Sequence, residues 1–165
     1  MRTILLALIL VAPALSPADR FFDRVAALCG ERFVGEAVAG DAFRGERLVA
    51  EIADCSEREI RIPFAVGEDR SRTWILRRLD DGRLQFKHDH RHEDGTPDEI
   101  RMYGGTSVDA GSASRQAFPA DRHTAELIPE AATNEWFLEL SEDGRRLIYY
   151  LERHAEPRFK AVLER

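Results

Sequence analysis

The chain is poor in cysteine and aromatic residues, and it lacks the short motifs that announce most enzymes. Its two cysteines, Cys29 and Cys55, have no CxxC spacing and by themselves make a poor metal site. Aromatic residues are 8% of the total and show no base-stacking pattern. No five like charges follow one another and the formal charge is -6, which suits neither non-specific nucleic-acid binding nor an anionic membrane surface. There is no GxSxG elbow, no HExxH pair, no Walker loop and no dinucleotide fingerprint, so no residue is singled out as catalytic. Asp89 to Gly95 approaches a calcium loop only loosely, because Arg91 and Asp94 stand where an oxygen ligand and a glycine belong. Internal repeats, low-complexity tracts and a second domain are also missing.

One apolar run is present, Ile4 to Ala12, and it is shorter than the roughly 20 residues that span a bilayer. Arg2 precedes it, and Pro13, Ala14, Ser16 and Ala18 follow it as a small-residue zone. This is the pattern of a secretory signal peptide over residues 1–18, with cleavage after Ala14 or Ala18 and no stable membrane insertion. Residues 19–165 then form a single domain in the periplasm or outside the cell. Leu28, before Cys29, argues against a lipoprotein site. In an oxidising compartment Cys29 and Cys55 are expected to pair, the alternative being two buried free thiols.

Phe21, Val25 and Leu28 recur at helical spacing behind Ser16 and Pro17, which predicts a short N-terminal helix ending at Gly30. Beyond it the period changes to two. Ile60, Ile62, Phe64 and Val66 share a face, as do Trp136, Leu138 and Leu140, then Leu147, Tyr149 and Leu151, then Phe159, Ala161 and Leu163. Asp81-Gly82, Asp94-Gly95 and Asp143-Gly144 separate such runs as hairpin turns. About ten strands are expected, near residues 32–38, 47–55, 58–66, 72–79, 83–92, 98–104, 112–118, 134–141, 145–152 and 158–164. Pro63 implies an edge or a bulge. Phe118 to Glu130 holds a helical turn or two, either covering a barrel end or serving as a surface connection. The pattern is mainly β: an antiparallel, lipocalin-like β-barrel of 8–10 strands with a short N-terminal helix, or else a β-sandwich.

Arg83 to Gly95 is the unusual stretch. Leu84, Phe86, His88, His90 and His92 share one parity, so a straight strand would carry three histidines into the barrel or its mouth. Two neighbouring imidazoles, His88 and His90, are near enough to converge on zinc or another divalent metal if His123, His154 or a carboxylate adds a ligand. A bulge, or a strand ending before His90, would instead leave the histidines partly exposed beside Asp89, Glu93 or Asp94. Arg70 and Arg72, with Asp69, are placed to grip a carboxylate or phosphate, or to form a self-satisfied surface network.

The motifs IRIPFAVGEDRSRTW (Ile60 to Trp74), KHDHRHEDG (Lys87 to Gly95), YGG (Tyr103 to Gly105), FPAD (Phe118 to Asp121) and ALCG (Ala27 to Gly30) resemble an uncharacterised family of small secreted bacterial proteins. The resemblance implies a shared fold and export, and it brings no functional residue. The expectation is a non-enzymatic exported barrel that binds a small polar or amphipathic ligand through His88, His90, His92, Arg70, Arg72 and Asp69. The alternatives are an envelope protein-interaction module and a metal protein.

Overall fold

A computed structural model of the protein describes residues 14–165. The expected n-region and apolar run, residues 1–13, lie outside the described residues. The chain runs α1 (Pro17–Ala26), β1 (Arg32–Ala39), β2 (Leu48–Glu51), β3 (Ala53–Cys55), β4 (Glu59–Val66), β5 (Asp69–Arg78), β6 (Leu84–His90), β7 (Tyr103–Thr106), β8 (Arg115–Pro119), α2 (Arg122–Leu127), β9 (Asn134–Leu140), β10 (Arg146–Arg153) and β11 (Glu156–Glu164), with a 3-10 turn at Pro129–Ala131.

The strands make one antiparallel sheet in the order β7-β6-β5-β4-β2-β1-β11-β10-β9-β8, with β3 beside β4. Ten strands form a nearly closed barrel, which selects the barrel over the sandwich. Neighbours follow chain order except where β2 lies beside β4 and where β11 returns to β1 along a ladder from Val34–Glu164 to Ala39–Lys160. The thin place is the seam between β7 and β8, joined by one bridge, Gly105–Ala120. Gly104 and Gly105 make that approach possible. A Cβ on Gly105 would stand 1.8 Å from the Pro119 carbonyl oxygen, and one on Gly104 2.1 Å from that of Phe86.

The period-two rows point as expected. Ile60, Ile62 and Phe64 of β4 are buried, as are Trp136, Leu138 and Leu140 of β9 and Leu147 and Tyr149 of β10. Pro63 does not sit on an edge. Its strand pairs on both sides, and Pro63 lies opposite the break between β2 and β3, where Ile52 donates its N–H to Glu31 instead. The missing N–H of proline therefore costs no ladder bond. Residues 98–102, expected to begin a strand, form a loop. Asp98 and Met102 donate to the carbonyls of His90 and His88, and Met102 has φ +58, so pairing in β7 starts only at Tyr103.

α1 closes one end. The Ser16 hydroxyl accepts from the Asp19 N–H at 3.0 Å, and Ala18, Phe21, Phe22 and Val25 are buried in the barrel core. Arg78, at the end of β5, lies 4.4 Å above the Phe22 ring and pairs with Asp23 at 2.6 Å. Arg24 reaches across to the carbonyls of Ala113 and Ser141, which precede β8 and follow β9. Cys29 and Cys55 form a disulfide, with Cα atoms 6.2 Å apart, that ties the chain just after α1 to β3. It closes a loop of sequence separation 26, for which chain entropy assigns about 3.5 kcal/mol. Replacing both cysteines by serine should lower the unfolding free energy in urea by about that amount. A change below about 1 kcal/mol would mean that α1 and its packing hold the loop without the bond.

A candidate ligand site at the open mouth

At the end opposite α1 the interior is not filled. Below that mouth the barrel is packed with rings. Phe64 stacks on Trp74 at 4.2 Å, Trp74 on Tyr149 at 4.7 Å, and Phe86 meets Phe118 at 5.3 Å. His88 belongs to this layer, as the parity of β6 requires, and it lies parallel to the Tyr103 ring at 4.7 Å. Above it is a cavity of about 270 Å³. Trp136 and Tyr149 form its inner face, Phe43, Leu151 and Phe159 its walls, and Ile128 and Ala131 its cover, with Tyr103, Asn134 and Arg153 adding polar groups. A larger depression of about 540 Å³ lies outside, where Val34, Glu36 and Val38 of β1 meet Val162 and Glu164 of β11. The inner cavity is the better candidate, because it alone is walled by inward-facing aromatic rings and covered by a separate segment.

Local sequence explains each wall. Phe43 comes from the β1–β2 loop and packs edge-on against Phe159 at 5.6 Å and Phe64 at 6.3 Å. The cover comes from the segment between β8 and β9. Asp121 caps α2 by accepting from the Thr124 N–H at 3.0 Å. The buried Thr124 hydroxyl donates to the Gly104 carbonyl at 2.6 Å and accepts from the Gly104 N–H at 2.7 Å. Lys87, buried on the outer side of β6, pairs with Asp121. The helical turns therefore cover the mouth and are clamped to the seam.

The histidine row divides. β6 is regular from Leu84 to His90 and carries no bulge. His88 is buried, with Nδ1 at 3.2 Å from the Tyr103 carbonyl oxygen and Nε2 at 3.0 Å from the Tyr149 hydroxyl. A carbonyl only accepts, so Nδ1 carries the proton and Tyr149 donates to Nε2. Burial pushes the imidazole pKa down to about 3 and the Tyr149 hydroxyl well above its usual value. His90, at the rim, places Nε2 at 3.0 Å from the Tyr103 hydroxyl, and burial together with Arg72 lowers its pKa. Burial also raises Tyr103, to about 12.

His92 lies beyond the strand and is exposed, beside Glu68, Asp69 and Arg70 in a surface depression. Its inward expectation fails because the Asp94–Gly95 turn begins there, with Gly95 donating to the His92 carbonyl. Both ring nitrogens of His88 are occupied, and His90 is turned to a different hydroxyl from His88. Among the described residues no three His, Cys, Asp or Glu side chains gather as a metal-ligand group.

The arginine cluster is largely self-satisfied. Arg70 is exposed and donates to the Gly67 carbonyl at 2.6 Å. Arg72 pairs with Asp69 and lies 5.2 Å over the Phe43 ring, so it braces the cavity wall from behind. Against the upward push of partial burial, hydrogen bonds from Ser71 and the Arg72 guanidinium hold Asp69 down at about 2.

Sequence reasoning passed over Phe43, Asn134 and Arg153. A signal for two of them was present: Arg153 continues the Leu147, Tyr149, Leu151 row, and Asn134 continues that of Trp136 and Leu138. Phe43 lies in a loop with no periodicity. No family model, curated protein or solved structure matches the chain.

Proposed function

We propose that this is an exported, non-catalytic barrel that binds a small amphipathic ligand in its open mouth. The observation that carries the reading is the 270 Å³ cavity, whose apolar, ring-lined interior ends in polar groups at the rim. Its volume falls just below the about 300–1,000 Å³ of pockets that hold drug-sized molecules, so the ligand is compact, of one or two rings or a short chain. The Cys29–Cys55 bond and the leader pattern support an oxidising compartment, periplasmic or extracellular. His88 supports a structural role more than a chemical one, since an imidazole with a pKa near 3 and both nitrogens engaged neither takes nor gives a proton at neutral pH.

Trp136 provides the readout, because it lines the cavity while Trp74 is buried beneath it. Titration with a panel of compact amphipathic compounds should change tryptophan emission saturably. A Leu151→Trp variant, which fills the cavity, should abolish the binding measured in parallel by calorimetry. Binding unchanged in that variant, or no binding by any compound, would overturn the reading.

A further inference from the structure

Among the described residues Arg153 is the only charged one lining the cavity. Its Nε donates to Asn134 Oδ1 at 2.8 Å, across the β9–β10 ladder, and this holds the guanidinium at the rim. Among the described residues it forms no ion pair and no further hydrogen bond, whereas most other arginines are paired with acids. No nearby acid among the described residues forms an ion pair with it: Glu156, its ladder partner in β11, is exposed. Glu152 and Glu135 have the opposite parity and face outward, where Glu152 accepts from the Tyr150 hydroxyl at 2.9 Å. Arg72, the other rim cation, is already paired with Asp69.

We infer that the ligand is a small monocarboxylate: a compact apolar body seated against Trp136, Tyr149 and Phe43, with its carboxylate held by the two terminal nitrogens of Arg153. The planar guanidinium fork matches a carboxylate in bidentate fashion. A doubly charged phosphate would call for a second cation, and among the described residues the cavity lining has none. The formal charge of -6 works against anions at long range, so selection for the carboxylate is local to the rim.

The inference rests on the mouth being the binding site, and the test separates the two. The probes are 2-naphthoate and the near-isosteric, neutral 2-naphthamide, titrated into wild-type protein, Arg153→Gln and Leu151→Trp by calorimetry. Wild type should bind the naphthoate about tenfold more tightly than the amide, the value of one charge-assisted contact at a half-open rim. Arg153→Gln should remove that difference and leave the amide unchanged, and added salt should weaken only the naphthoate. Equal affinities for the two probes in wild type, with both lost in Leu151→Trp, would overturn the carboxylate and keep the cavity. Failure of wild type to bind either probe would overturn both. The comparison within wild type needs no variant, so a poorly folded Arg153→Gln does not rescue the inference.

Discussion

Lowering the pH from 6.5 to 4.5 should destabilise the fold by roughly 2 kcal/mol, most of it through one side chain, His88. An unfolded histidine titrates near its ordinary value of 6.5, while burial holds the folded imidazole at about 3. Between these values the unfolded chain binds a proton that the folded chain refuses. Stability is therefore full above pH 6.5 and falls by up to about 1.4 kcal/mol per pH unit until the folded pKa is reached. The local geometry agrees. Nε2 already accepts from Tyr149, and a proton placed there would confront a hydroxyl donor in a ring-lined interior. His90, also lowered, adds in the same direction. Aspartates such as Asp69 and Asp121 are held below their usual value and lose their contribution only at lower pH. Urea denaturation of wild type and His88→Gln at pH 6.5, 5.5 and 4.5 is the measurement. The variant should be less stable at pH 6.5 but show a much flatter dependence. Parallel slopes would remove His88 as the source.

Gly105→Ala should cost about 3 kcal/mol, at the upper end of overpacking penalties. The added methyl would lie 1.8 Å from the Pro119 carbonyl oxygen, and the nearest atoms are all backbone of Phe118 and Pro119, with no flexible side chain to give way. β7 has four residues and meets β8 through a single bridge, so the seam has little pairing with which to absorb the strain. The loss should appear first as faster amide exchange at Ala120 and Asp121, which donate to Asn134 and Gly104. Because the α2 cover is clamped to Gly104, the mouth should loosen with the seam. A variant within about 0.5 kcal/mol of wild type would mean that the strands part without consequence.

Of the two courses the sequence left open for β6, the straight strand is the one found: His88 lies in the interior and His90 at the rim, because an unbroken antiparallel register preserves side-chain alternation. Parity misplaced His92, where the ladder had already ended in a turn. The same rule, followed two residues further along β10, reaches Arg153. A helical turn or two after β8 was legible in the sequence, but whether it covered a barrel end or only connected two strands was not. That depends on the buried Thr124–Gly104 and Lys87–Asp121 contacts, made between residues 20 and 34 positions apart.

Local pattern alone was enough for the β-rich antiparallel architecture, the N-terminal helix, the glycine turns and the inward rows of β4, β9, β10 and β11. These follow from local periods of two and 3.6, from caps and from the backbone freedom of glycine. Tertiary structure alone decided that the sheet closes between β7 and β8, that the aromatic rings fill one part of the barrel and leave its mouth empty, and that Phe43, Asn134 and Arg153 converge there. Closure and convergence depend on contacts between distant segments, whose geometry no local pattern encodes. Of the three histidines that stood out in the chain, His88 and His90 lie beneath and at the edge of that cavity, while the one charged group among its described lining residues is an arginine at the end of another strand.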